Sequence, residues 1–180
     1  MQGMEATLTI FSKRPNLIRQ EIQMRGQTVV MAFDGVSPWT LNPFNGSSGA
    51  VLLTGPQADM VKDQSSFDGP LSDYKEKGSK LELVGTEPMG ATKVVHLKLT
   101  TKTGSVQHVY LDAATYLEAK LVAEDMGKVE QELGDYRDVN GFKVPFRIKV
   151  MQNGVLQSEL IVDKVEFNIA MDDAMFRLPK

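Results

Sequence analysis

Cysteine is absent from the 180 residues of this chain. The chain therefore has no disulfide, no thiolate metal site, no cysteine nucleophile and no cysteine that could carry a lipid anchor. A block of one charge is missing as well, because the 20 basic and 23 acidic residues alternate along the sequence. This balance gives little support to nucleic-acid binding, which favours a basic stripe.

Long hydrophobic runs are also absent. Apolar runs such as residues 50–53 are too short to cross a bilayer, and no charged segment followed by an apolar stretch marks a signal peptide. A strand pattern is already present over residues 4–12. We therefore expect that an N-terminal segment, such as a signal peptide, has been removed.

What the sequence does contain is apolar residues at every second position, the pattern of half-buried β-strands. The pattern recurs between turn-forming pairs such as Arg25-Gly26, Asp34-Gly35, Thr103-Gly104, Asn140-Gly141 and Asn153-Gly154. Glycine and asparagine at these positions can supply the positive φ of a hairpin turn. The spacing predicts about eleven strands that pair as antiparallel neighbours in a mainly β fold.

One segment departs from this pattern. Pro56 stands at a plausible first helical position and good helix formers follow it, so a short helix is predicted over residues 56–64. A loop over 65–71 and a second turn of helix over 72–77 are expected to follow. The whole region could cross one face of the sheet.

The residues that usually carry catalysis form no recognisable site. His96 and His108 flank one predicted turn and are interpreted as surface residues of two strands, since a metal site would need a further ligand. Gly46-Ser47-Ser48-Gly49 lacks the spacing of a nucleophile elbow, and no phosphate-binding glycine loop is present. Glu130 and Glu132 are predicted to be solvated. We expect no enzyme activity, no metal and no cofactor.

Methionine is frequent, with ten residues in the chain. Its flexible thioether suits a surface that adapts to a changing apolar partner, although methionine on a strand face is often ordinary core. A sheet of about eleven strands must curl, and one short helix cannot fill its concave side. Side chains, a missing N-terminal segment or a ligand could occupy that space.

Two groups of motifs resemble a known family. They are Lys13-Arg14-Pro15-Asn16-Leu17 with Phe33-Asp34-Gly35-x-x-x-Trp39-x-x-Asn42-Pro43-Phe44, and the C-terminal stretches over residues 134–145 and 172–179. Together they resemble the LolA-like family of periplasmic outer-membrane lipoprotein-sorting proteins. The resemblance implies a single domain over 1–180 that folds as a curved, incomplete antiparallel β-barrel with a helical lid over about 55–77. We expect that the N-terminal helix of the family is missing from this sequence.

The resemblance also implies roles for particular residues. Arg14 inherits the role of a latch that donates hydrogen bonds to the lid backbone, and the lid carries Met60, Val61 and Phe67. Ile18 stands at the mouth of the cavity, where the family has an aromatic residue. Acyl chains are expected against an apolar concave face formed by Ile18, Ile22, Met24, Met31, Phe33, Trp39, Val95, Leu97, Leu99, Leu121, Leu133, Phe146 and Ile148.

The function implied is a carrier of lipid or lipoprotein acyl chains in the periplasm, whose full-length form could be attached to the outer membrane. Its expected partners are a membrane-bound donor and an acceptor protein, and we expect a monomer. The alternative is a sensor or interaction module of the same fold, which would detect a lipid without transporting it.

Overall fold

The computed structural model describes residues 5–46, 49–102, 104–124 and 127–179. Ser47, Ser48 and Thr103, which the sequence analysis named, lie outside these ranges. The chain divides into two compact units, the first made of Met1–Ser72 with Ala170–Lys180 and the second of Asp73–Ile169. We call them the first unit and the second unit. The expectation of a single domain stays a prediction.

The first unit contains a five-stranded antiparallel sheet in which neighbours in sequence are neighbours in space. Short 3₁₀ turns occur at Pro43–Asn45 and, in the C-terminal segment, at Asp173–Phe176. The strands are β1 (Thr7–Lys13), β2 (Leu17–Met24), β3 (Gln27–Phe33), β4 (Pro38–Leu41) and β5 (Val51–Leu52), followed by helix α1 (Gly55–Gln64).

Helix α1 confirms the helix predicted over 56–64. Pro56 lies in its first turn, where the missing N–H costs no intrahelical hydrogen bond, and Thr54 before it is extended. The second predicted turn of helix, over 72–77, does not form a regular helix. That segment forms turns, although the Lys77 amide donates to the Asp73 carbonyl four residues earlier, at 3.0 Å, as in a single helical turn.

The second unit contains a seven-stranded antiparallel sheet with the order β12-β11-β10-β9-β8-β7-β6. No helix occurs in the part of this unit that the structure describes. The strands are β6 (Lys80–Met89), β7 (Thr92–Thr100), β8 (Val106–Asp112), β9 (Glu118–Ala123), β10 (Val129–Val139), β11 (Phe142–Gln152) and β12 (Val155–Ile161).

Hairpin turns connect the strands as the sequence predicts. Asn140 and Gly141 have φ values of 52° and 86°, and both therefore adopt the left-handed conformation that a two-residue turn requires. The mainly β, antiparallel fold is confirmed. It has twelve strands within the described ranges, and neither sheet closes on itself, because β1, β5, β6 and β12 remain edge strands. In the same ranges no helix is long and apolar enough to span a bilayer.

Candidate functional site

The first sheet carries a mainly apolar side, interrupted by Gln20 opposite Met31, which we call the first apolar face. In the register of β2 and β3, Ile18 lies opposite Phe33, and the alternation of the strands adds Ile22, Met24 and Met31 to the same side. Ile18 and Phe33 are buried, whereas the other three are half-buried. The shared face predicted for these five residues is therefore found.

Helix α1 packs on the first apolar face. Val61 is 3% exposed and forms one core cluster with Ile18 and Phe33, against which Met31 and Leu53 also pack. Met60, the neighbouring residue of the predicted lid, points more to the surface and is 37% exposed. A segment predicted to act as a lid thus covers residues predicted to bind the ligand.

Trp39 lies on the other side of the first sheet, and its predicted place beside Phe33 is wrong. Residues 34–37 connect β3 to β4 so that Phe33 pairs with Pro38 and Trp39 pairs with Ala32. Trp39 is 1% exposed there and its indole Nε1 donates to the Phe176 carbonyl at 2.7 Å. Trp39 therefore belongs to a core that the C-terminal segment completes, not to the predicted ligand surface.

The second sheet has an apolar side of its own, which we call the second apolar face. Leu97 pairs with Val109, Val109 with Leu121, and Leu133 with Ile148. Because alternate residues share a side, the seven apolar residues predicted for this sheet all lie on this face. They are Val95, Leu97, Leu99, Leu121, Leu133, Phe146 and Ile148.

The opposite side of the second sheet is charged, and it contains a carboxylate that was predicted to be solvated. Glu130 is only 7% exposed, so that prediction is wrong. Its side chain forms ion pairs with Lys120 and with Lys128, the latter at 3.0 Å. Hydrogen bonds from Lys120 and then from Lys128 hold the pKa of Glu130 below its usual value.

The two histidines also lie on this charged side. His96 Nε2 and His108 Nδ1 are 2.7 Å apart across β7 and β8, while His96 Nδ1 lies 3.3 Å from the Glu87 carboxylate. Tyr110 stacks on the His96 ring at 4.3 Å. Burial lowers the pKa of His96, which Glu87 partly offsets. In the described ranges, no group of three or more potential ligands could hold a metal ion.

Arg14 lies in the turn between β1 and β2, after which the chain passes through a cis Arg14–Pro15 peptide bond. Its guanidinium donates to the Asp68 carboxylate, with Nη2 and Oδ1 2.5 Å apart, and lies 4.5 Å from the centre of the Phe67 ring. The pKa of Arg14 is raised, chiefly by the hydrogen bond to Asp68. The partner found here is a carboxylate of the predicted lid region, whereas the family resemblance implied the lid backbone.

Sequence reasoning did not find Asp68 as the partner of Arg14. The two residues are 54 positions apart, and the loop that holds Asp68 has no periodic pattern. Hydrophobic alternation reports which face of a strand a residue occupies, but it carries no signal for a contact between two loops.

Solved structures with the same fold come from outer-membrane lipoprotein-sorting and LolA-superfamily proteins. An outer-membrane lipoprotein-sorting protein domain of Vibrio parahaemolyticus is 15% identical, with a TM-score of 0.64 over 95% of this chain and 80% of that one. A LolA superfamily protein of Nitrosomonas europaea is 14% identical, with a TM-score of 0.61 over 96% and 81%. A DUF1329 family protein of Desulfovibrio piger is 16% identical, with a TM-score of 0.56 over 94% and 79%.

This chain therefore has a LolA-like fold, as its motifs predict. At such low identity the likeness concerns the fold alone. No family model and no curated protein matches the sequence.

Proposed function

We propose that this protein is a periplasmic carrier that holds the acyl chains of a lipid or lipoprotein during outer-membrane lipoprotein sorting. The observation that carries the proposal is the one-sidedness of the second sheet. Seven apolar side chains predicted to bind the ligand share one face, and charged residues such as Lys120 and Glu130 occupy the other. The LolA-like fold adds support, because one structural neighbour is described as a lipoprotein-sorting domain.

The energetics favour direct transfer of the ligand. An acyl chain of about fifteen methylenes, at about 0.8 kcal/mol for each buried group, would gain roughly 12 kcal/mol. This corresponds to about nanomolar affinity before ordering costs are subtracted. Escape into water would be slow, so the carrier passes its ligand to a membrane or to an acceptor protein. It holds the ligand without transforming it.

Helix α1 is the proposed lid. In the present structure Val61 covers Ile18 and Phe33, so apolar surface that a ligand could use is buried by the protein itself. Displacement of α1 would expose the first apolar face to an acyl chain. The burial recovered when α1 returns would help to expel the ligand at the acceptor.

The contact of Arg14 with Asp68 and Phe67 suits a latch that opens readily. The side chains of Arg14 and Asp68 are 66% and 39% exposed, and ion pairs this exposed stabilise a structure only weakly. We expect Arg14→Gln to load and release a lipid a few-fold faster than the unaltered protein. Lys62→Gln, on the exposed side of α1, is the control. Equal rates for both variants would remove the latch from the proposal.

Binding of a fluorescent fatty acid tests the carrier itself. Leu121→Gln places a polar group on the second apolar face and should weaken binding about tenfold, since burying a leucine contributes about 1.5–3 kcal/mol. Lys149→Gln changes the opposite face of the same sheet and should bind normally. The proposal fails if protein from an envelope fraction shows no bound lipid by native mass spectrometry and also binds no fatty acid.

Transfer to acceptor liposomes separates a carrier from a lipid sensor. A carrier loaded with the fluorescent fatty acid should deliver it to vesicles faster than the probe dissociates into buffer. A sensor would bind the probe without delivering it. Retention of the probe in the presence of vesicles would therefore favour the sensor.

A further inference from the structure

The second apolar face is not uniformly apolar, because a cation lies directly beside one of its aromatic rings. Arg137 pairs with Val144 across β10 and β11, and Phe146 lies two residues farther along the same side of β11. The Arg137 guanidinium carbon is 4.3 Å from the centre of the Phe146 ring. This contact places the charge over a ring that is itself only 6% exposed.

We infer that Arg137 binds the anionic head group of an amphiphile whose acyl chain lies along the second apolar face. The inference rests on the proposed function and deepens it, since it names the chemical class of the ligand. The head group would be a carboxylate or a phosphate. Each of these groups offers at least two oxygen atoms, so a guanidinium can bind it through paired hydrogen bonds.

The guanidinium has hydrogen-bonding capacity left for such a ligand. Asp135 accepts from Nε at 3.3 Å and from Nη2 at 2.6 Å. Arginine carries five N–H groups, and Asp135 uses two of them, so three remain for a second acceptor. Stacking on Phe146 restricts the guanidinium, which reduces the entropy lost when a ligand binds.

The position of the charge along the face also fits an amphiphile. Lys93, two residues before Val95 on β7, occupies the same face toward the same end of the sheet, and so does the carboxylate residue Glu118, which pairs with Leu111. At the other end of this face the corresponding strand positions hold uncharged residues, among them Leu99, Gln107 and Gln152. A ligand with one anionic end and one apolar end therefore has a preferred orientation, with its head at Arg137.

Asp135 sets a limit on the affinity, because it already neutralises part of the charge of Arg137. The side chains of Asp135 and Arg137 are 47% and 54% exposed, so the pair is accessible to a competing anion. Removing the carboxylate should leave Arg137 more available. This gives a variant whose expected effect is a gain of binding, which loss of folding cannot imitate.

Competition against a fluorescent fatty acid tests the inference with three lipids that share one acyl chain. They are a fatty acid, a lysophosphatidic acid and a neutral monoacylglycerol, each kept below its micelle concentration. The unaltered protein should prefer at least one anionic lipid to the neutral one by about tenfold. Arg137→Gln should abolish that preference without changing neutral-lipid binding, and Asp135→Asn should increase it several-fold.

Arg147→Gln is the matched control. Arg147 lies on the neighbouring strand with its side chain 52% exposed and paired to Glu159, but on the opposite face of the sheet. It should leave the preference unchanged. Equal affinities for the three lipids, or equal losses in Arg137→Gln and Arg147→Gln, would overturn the head-group inference while leaving the carrier intact. Absence of binding by all three lipids would instead overturn the carrier.

Discussion

In the first unit the apolar face of the sheet is covered by a helix of the same unit, whereas the second unit has no helix in its described part. Both sheets have one apolar side, but their other sides differ. The far side of the first sheet holds Trp39 and is completed by Phe176, while the far side of the second carries ion pairs and histidines. The first sheet therefore sits between two cores. The second has an apolar side, on which Leu99 and Phe146 are buried, and a side on which ion pairs and histidines surround the buried Val94 and Val122.

The two units should therefore be sensitive to different substitutions. The first unit should respond mainly to lost packing, and the second to changes of charge on its polar side and of ligand contacts on its apolar side.

The largest expected effect is in the core of the first unit. Phe176 has no exposed surface, and its backbone carbonyl accepts the hydrogen bond from the Trp39 indole. Phe176→Ala removes this buried ring and should lower the free energy of unfolding by about 3–5 kcal/mol. Trp39 is the single tryptophan of the chain, so its fluorescence during urea titration reports this unit. Leu178→Ala, two residues away and 36% exposed, should change stability little. Similar losses in both variants would show that the core around Trp39 does not depend on the Phe176 ring.

A smaller effect is expected on the polar side of the second sheet. Glu130→Gln leaves the partly buried Lys120 without its charged partner and should cost about 2 kcal/mol. The exposed Glu132→Gln should stay within about 0.5 kcal/mol of the unaltered protein. Circular dichroism measures the transition of the whole chain. If Glu132→Gln were as destabilising as Glu130→Gln, the buried ion pair would not be the cause.

The loss of stability in Glu130→Gln should depend on pH in a definite direction. Because Glu130 has a lowered pKa in the folded protein, its stabilisation is present above the unfolded pKa of about 4.3. It is lost as the pH falls through the folded value. The difference between Glu130→Gln and the unaltered protein should therefore shrink in acid.

A substitution in helix α1 should affect the stability of that helix locally. Val61→Ala removes two methyl groups from the contact with Ile18 and Phe33, and should destabilise the closed position of α1 by about 1.5 kcal/mol. Hydrogen exchange of the α1 amides should quicken, and so should loading of a fluorescent fatty acid. Met60→Ala, at a more exposed position, provides the comparison. Unchanged exchange in Val61→Ala would show that this contact does not hold the helix closed.

The smallest expected effect concerns pH and the histidine pair. The pKa of His96 is lowered in the folded protein, so the unfolded chain takes up a proton first as the pH falls below about 6.5. Stability should then decrease by less than about 1.4 kcal/mol per pH unit until the folded value is passed. Urea titrations at several pH values measure this slope, and His96→Gln should reduce it. An equal slope in that variant would assign the effect to other groups.

Particular residues show how much of this could be predicted. Pro56 located the start of α1, because its ring fixes φ and suits the first helical turn. Asn140-Gly141 located a hairpin, since both residues tolerate positive φ. Trp39 was misplaced because the connection over residues 34–37 sets which β4 residues face which side, and alternation cannot be continued across a turn.

Local patterns were also insufficient for the charged groups. Glu130 occupies the polar side of its strand, as alternation predicts, but its burial depends on lysines at positions 120 and 128. The pairing of Arg14 with Asp68 joins two loops, and the stacking of Arg137 on Phe146 joins two strands. In each case the partner is chosen by the register or the path of the chain.

By itself the sequence determined the mainly β character of the protein, its hairpin turns, the position of α1 and the apolar residues of each strand. These features follow from backbone preferences and from the two-residue period of a strand. Only the tertiary structure decided that Val61 covers Ile18 and Phe33, that Trp39 faces Phe176 and that Arg137 lies over Phe146. These contacts join residues far apart in the chain or on different strands. Their free energy comes from packing and charge placement that exist only once the strands have taken their register.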